Sequence, residues 1–106
     1  MHVFIQRLNN AERKLEGFVL TDAESRIANF LYDCANRFGE KKGKSVVLPL
    51  PLTHQTIADF VGAFRETVTI ALKKLEKENI AIVEKGVVTI YDLKKLKKIS
   101  LIHDNL

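Results

Sequence analysis

The sequence predicts a mainly α-helical domain closed by a small β-hairpin, and three observations predict it. Apolar residues recur at helical spacing in four separate stretches before residue 79. Two of these stretches are short, adjacent and joined by a tight turn containing Gly62. Directly after the second lie two β-branched runs, 80–83 and 87–91, separated by Glu84-Lys85-Gly86. That pattern reads as a hairpin in which Gly86 supplies the positive φ of the turn.

In chain order, Phe4, Leu8, Ala11, Leu15 and Phe18 are spaced 4, 3, 4, 3, a short heptad seam widened by Val3, Ile5 and Val19. A helix over 4–18 cannot bury that stripe alone, so it packs either on the rest of the chain or on a second copy of itself; the second is the expectation, with residues 1–20 as a dimerisation helix. Residues 21–106 form the remaining domain. Thr21-Asp-Ala-Glu24 reads as a capping box, with Thr21 as N-cap. It opens a helix over roughly 22–38 whose buried stripe is Ile27, Phe30, Leu31, Cys34 and Phe38, and Gly39 stops it. Residues 40–45 read as a polar, basic turn, and 46–51 as a short edge strand, because Pro49 and Pro51 exclude a central one. Thr53 caps a helix over about 54–61 that turns Ile57, Ala58 and Val61 inward. A helix over about 65–78 buries Val68, Ala71, Leu72 and Leu75. Asp92 caps a last short helix over 93–99, and 101–106 are expected to fray.

Composition narrows the function. The 106 residues carry a net charge of +4. Residues 1–40 hold five basic and six acidic side chains, whereas 41–106 hold twelve basic and seven acidic. The modest positive excess therefore sits in the second part, as suits a nucleic-acid partner. The single Cys34 falls in an apolar stripe, which excludes an intrachain disulfide and argues against a cysteine metal site. His2, His54 and His103 lie far apart without metal-ligand spacing, so no metal or cofactor is expected. Ser25 and Cys34 have no neighbouring base, there is no glycine-rich phosphate loop, and no carboxylate pair marks a cleft. An enzyme is not the expectation. No apolar run reaches membrane-span length, and the first residues lack the order of a signal peptide, so a cytoplasmic, nucleoid-associated protein is expected.

Two short helices across a glycine turn followed by a hairpin make a winged helix-turn-helix. The first helix braces the second, whose free face is then held out for a major groove, with the wing over 81–91 on the backbone. That free face is Arg65, Glu66, Thr69, Ile70 and Lys73. Arg65 has two donors for guanine and Glu66 an acceptor for cytosine. Thr69 suits a base or a phosphate. Ile70 lies roughly 200° around the helix from Val68, hence outside the core, and matches a thymine methyl. Lys73, Lys74, Lys77 and Lys85 are candidates for phosphate contact, with Thr53, His54 and Gln55 at the start of the bracing helix. The bland alternatives are that the lysines form a solvated face and that His54 is an ordinary surface residue. A protein-interaction module on the same scaffold is the competing function, since Phe64 and Ile70 form an apolar spot where DNA readers usually carry polar groups.

The chain also resembles the C-terminal part of the Crp/Fnr family of bacterial transcription regulators over about residues 6–99. The resemblance rests on Glu24-Ser-Arg-Ile-Ala-Asn-Phe-Leu31, Leu52-Thr-His-Gln-Thr-Ile-Ala-Asp-Phe-Val-Gly62, Arg65-Glu-Thr-Val68, Leu72-Lys-Lys-Leu75 and Val88-Thr-Ile-Tyr91. It implies a homodimer on a roughly palindromic site in double-stranded DNA, with Arg65 and Glu66 as the base-reading pair; RNA polymerase is a further expected partner. In such regulators a sensor domain precedes the pairing helix, so either an isolated domain or a product lacking the sensor is expected. Two departures stand out. Family members usually carry Ser or Thr where this chain has Phe64, and commonly Arg where it has Ile70.

Overall fold

The computed structural model describes residues 22–104, and before them only Lys14–Leu15 and Phe18–Val19. The elements are β1 (Lys14–Leu15), β2 (Phe18–Val19), α1 (Asp22–Phe38), β3 (Glu40–Lys42), β4 (Ser45–Leu48), α2 (His54–Val61), α3 (Arg65–Lys77), β5 (Ala81–Glu84), β6 (Val87–Ile90) and α4 (Leu93–Asp104). This is the predicted class, a mainly helical domain with a small antiparallel sheet.

α1 packs against α2, α3, α4 and β4. Its Ile27, Leu31 and Cys34 are buried, as the helical spacing predicts, and Ala28 joins them, whereas Phe30 is only partly buried and Phe38 at the last turn is half exposed. Gly39 follows because nothing larger fits: a Cβ there would lie 2.5 Å from both the Ala35 carbonyl oxygen and Val46 Cγ1.

The segment expected to be a turn and an edge strand is instead a hairpin, β3 paired with β4. The sheet order is β3-β4-β6-β5, which makes β4 an interior strand. Both prolines fall after Leu48, outside the strand, so they take no bond from the ladder. β4 and β6 pair with Val46 opposite Ile90 and Leu48 opposite Val88. β5 and β6 pair with Ala81 opposite Ile90 and Glu84 opposite Val87. The two-residue turn between them uses positive φ at both positions, 51° at Lys85 and 78° at Gly86, where the sequence pointed to Gly86 alone. Two positive φ values match the natural twist of a hairpin.

The helix-turn-helix is built from caps. Thr53 Oγ1 accepts from the Thr56 N–H at 3.1 Å. Gly62 ends α2 in the left-handed region at φ 75°, its N–H reaching the Ala58 carbonyl. α3 begins at Phe64, which makes no side-chain cap. It ends in a Schellman motif: the Asn79 and Ile80 N–H groups donate to the Glu76 and Leu75 carbonyls, with Asn79 at φ 60°. Asp92 Oδ1 accepts from the Lys95 N–H at 3.0 Å and caps α4. That helix continues to Asp104, past the predicted end, because Leu96, Ile99 and Ser100 are buried and the fold supports another turn.

In the stretch expected to be a pairing helix, the four described residues are extended rather than helical. Lys14–Leu15 and Phe18–Val19 form a two-stranded antiparallel pair, Lys14 opposite Val19 and Leu15 opposite Phe18. Only Glu16 and Gly17 separate the strands in sequence. Glycine disfavours a helix interior by about 1 kcal/mol, so Gly17 weakens a continuous helix through this stretch. The rest of the expected seam, Phe4, Leu8 and Ala11, lies outside the described residues, as does Thr21. Among the described residues no helix is long and apolar enough to cross a membrane.

Two predictions follow from the caps and the core. Phe64 is 79% exposed, so Phe64→Ser gives up little packing and supplies the missing cap. It should raise stability by about 1 kcal/mol, and Thr53→Ala should lower it by a similar amount. Denaturant midpoints check both, and an unchanged or lowered midpoint for Phe64→Ser contradicts the account. Burial, reinforced by Asp33 and opposed by Arg37, pushes the Cys34 thiol up from its ordinary value. A thiol held protonated in the fold contributes stability below its unfolded pKa, and this is lost as pH rises through the folded one. The wild type should therefore lose more stability than Cys34→Ala over roughly pH 8–10, and parallel pH profiles for the two would contradict it.

Candidate nucleic-acid interface

Three contacts from α1 hold the helix pair. The Arg26 guanidinium donates to the Val61 carbonyl at 2.6 Å, at the last residue of α2. The Phe30 ring stacks on Phe60 with centroids 5.1 Å apart. Lys74 on α3 pairs with Glu24 at 2.9 Å. A fourth contact joins the two helices to each other: His54 Nδ1 and Thr69 Oγ1 are hydrogen-bonded at 2.9 Å. α2 is thus tied at both ends and α3 along its middle.

The wing is fixed to the same frame. The Leu52 N–H donates to the Gly86 carbonyl at 2.7 Å, and a Cβ at Gly86 would lie 3.8 Å from Thr53 Cγ2. The Lys85–Gly86 turn therefore stands beside the start of α2, and through His54 beside the middle of α3. Along α3, Arg65, Glu66, Ile70 and Lys73 are exposed, while Val68, Ala71, Leu72 and Leu75 are buried. The exposed set follows the i, i+4, i+3 spacing of one helix face.

Several of the predicted contact residues have work of their own. The Thr53 hydroxyl serves as the α2 cap and faces the Thr56 hydroxyl at 2.9 Å. Gln55 Nε2 donates to Asp59 Oδ1 at 2.8 Å along the same helix. Thr69 is half-buried against His54, so the pair positions α3 more than it reaches outward. Lys74 turns toward α1 and is held by Glu24, away from the free face. Arg65, Glu66, Ile70, Lys73, Lys77 and Lys85 remain open to solvent. Arg26 and the Phe30–Phe60 stack were missed from sequence; an arginine at a mid-helix position beside the apolar stripe was the only signal.

The location of the positive charge is also corrected. The wing turn balances Lys85 against Glu84, and the free face of α3 sets Arg65, Lys73 and Lys77 against Glu66, so the densest run of lysines is on neither. The register places the Gly43–Lys44 turn past the Ile90 end of β6, whereas the Lys85–Gly86 turn closes its Val87 end. Exposed Lys41, Lys42 and Lys44 thus lie near the opposite end of the sheet from the wing turn, where α4 with Lys94, Lys95, Lys97 and Lys98 also begins. Lys97 there sits over the Tyr32 ring, 5.6 Å from its centroid. Among the described residues no group of three or more His, Cys, Asp or Glu is placed to hold a metal ion.

A family model described as the Crp-like helix-turn-helix domain matches residues 25–99. Among curated proteins, the chain is 38% identical over 72 residues to a CRP-like cAMP-activated global transcriptional regulator of Mycobacterium tuberculosis, covering 68% of this chain and 32% of that protein. It is 34% identical over 84 residues to the nitrogen fixation regulation protein FixK of Bradyrhizobium diazoefficiens, covering 78% and 35%. The chain thus spans about a third of the length of these relatives. Among solved structures, it is similar to the CO-dependent transcription factor CooA from Carboxydothermus hydrogenoformans, with TM-score 0.70, 35% identity and coverage of 74% of this chain and 37% of that one. It is also similar to reduced CprK without ligand, with TM-score 0.69, 28% identity and coverage of 89% and 43%. With the caps, the braced helix pair and the docked hairpin in place, the chain belongs to the Crp-like helix-turn-helix family, as a C-terminal domain of the Crp/Fnr type.

Proposed function

We propose that this chain binds double-stranded DNA sequence-specifically as the reading domain of a transcription regulator. α3 enters the major groove, and the turn of the β5–β6 wing lies over the backbone. The observation that carries the proposal is the outward face of α3: Arg65, Glu66, Ile70 and Lys73 stand free while α1 and the His54–Thr69 bond fix the helix behind them. Arg65 and Glu66 occupy the first turn, where a recognition helix reaches deepest. Arg65 supplies a two-pronged donor for guanine, and Glu66 an acceptor for the amino group of cytosine. Lys73 and Lys85 neutralise phosphate. The first turn of α3 receives no side-chain cap from Phe64, so its N–H groups add donors for a phosphate oxygen.

The names of two relatives support this reading, one a CRP-like global transcriptional regulator and the other a CO-dependent transcription factor. Pairing of two copies on a near-palindromic site, contact with RNA polymerase and action at the nucleoid rest on the family likeness alone. A protein-interaction role has one observation in its favour, the exposure of Phe64 and Ile70 at 79% and 65%. It leaves the free Arg65–Glu66 pair without a task.

Selection from a pool of random duplexes followed by titration tests the proposal. Enrichment of one site is expected, with affinity falling steeply as salt rises. Arg65→Ala should weaken binding to that site by about 1–3 kcal/mol and relax the preference at one base pair. No enrichment, together with no salt-dependent binding at low ionic strength, contradicts it.

A further inference from the structure

Ile70 occupies the centre of the free face of α3. It follows Glu66 by four residues and precedes Lys73 by three, so the three side chains form one stripe. It stands roughly 150° around the helix from the middle of the buried stripe of Val68, Ala71, Leu72 and Leu75. Its side chain is 65% exposed and contributes nothing to the core. Isoleucine neither donates nor accepts a hydrogen bond. Pressed onto the edge of guanine, adenine or cytosine in a major groove, it would strip water from N7, O6, an N6 amino or an N4 amino group and give nothing back. Only one base edge in that groove presents an apolar group, the C5-methyl of thymine.

We infer that Ile70 is a specificity-determining residue that reads a thymine methyl group, so that the preferred site carries a thymine one helical turn along from the base pairs met by Arg65 and Glu66. The inference rests on the proposed insertion of α3 into the major groove. It supplies what that proposal lacks, an identity for a base that no hydrogen-bonding side chain on α3 can choose. The neighbours agree with the assignment. Glu66 and Lys73 flank Ile70 with opposite charges along this stripe, so Ile70 is its one apolar side chain between two polar neighbours.

The test uses the full chain and duplexes recovered by selection from a random pool. Each thymine of the recovered site is replaced in turn by deoxyuridine, which keeps every hydrogen-bonding group and lacks only the methyl. One thymine per bound chain is expected to matter, its replacement weakening binding about fourfold, the value of one buried methyl-sized group. With Ile70→Ala the same replacement should change affinity by less than about a third of that, while Ile70→Val, which keeps a branched apolar end, should retain most of the discrimination. Ile70 lies outside the core, so both variants should stay folded, with melting temperatures changed only by the small difference in helix propensity. Salt-dependent binding with no thymine sensitive to deoxyuridine would overturn the inference and leave the DNA-reading function standing. A sensitive thymine that stays sensitive in Ile70→Ala would also overturn it, by assigning the methyl to another residue. If no duplex binds at all, both fall together.

Discussion

A recognition helix is useful only if it is held at a fixed angle and its outward face is left unspent. In this chain that constraint is met by α1. Its Ile27, Ala28 and Leu31 form the floor on which α2 and α3 rest. Arg26 grips the final carbonyl of α2, and Glu24 grips α3 through Lys74. The ion pair joins a Lys74 about one-third exposed to a largely buried Glu24, so desolvation offsets much of the Coulombic gain. Its value is directional: it turns Lys74 inward, while Arg65, Glu66, Ile70, Lys73 and Lys77 stay exposed. The guanidinium bond matters more. It satisfies a carbonyl at the end of α2 that the helix itself cannot pair, and it does so just before the Gly62 turn that sets the angle of α3.

From this brace the remaining geometry follows in short steps. His54 and Thr69 lock the start of α2 to the middle of α3. Leu52, one residue before the α2 cap, takes the wing turn by its Gly86 carbonyl. The sheet therefore hangs from the same point that anchors the helix pair, and Lys85 comes to rest beside it. The lysine-rich end of the molecule is elsewhere. Lys41, Lys42 and Lys44 belong to the outermost strand and its turn, where charge also blocks edge-to-edge pairing with another sheet. Net positive charge thus pointed to a nucleic-acid partner without showing which surface meets it.

Much of the fold was legible because its signals are local. Gly62 as a left-handed stop, Thr53 and Asp92 as caps, and the 3, 1, 3 spacing of Val68, Ala71, Leu72 and Leu75 each fix an element from a few residues. The β3–β4 hairpin was not legible, because Glu40–Lys42 has no apolar face and becomes a strand only through bonds to β4. Lys85 at positive φ was hidden for a similar reason, since the hairpin imposes a conformation that lysine does not choose alone. The heptad spacing over 4–18 read as helix, yet Gly17 weakens a continuous helix, and a β pair is seen there. At the site, residue types pointed to the right face of α3. They could not show that Thr53, Gln55 and Lys74 are engaged by the protein itself, because those bonds depend on where Thr56, Asp59 and Glu24 come to lie.

The most direct test of the central claim, that the free face of α3 and the wing turn form the DNA-reading surface, is a residue-by-residue map of amide chemical shifts as duplex DNA is added at increasing salt. The account predicts that perturbations surviving at higher salt cluster at residues 65–73, at 53–55 and at the Lys85–Gly86 turn. Those at 41–44 and 94–98 should be weak and vanish first. Perturbations concentrated on the lysine-rich end, with α3 unmoved, would contradict it.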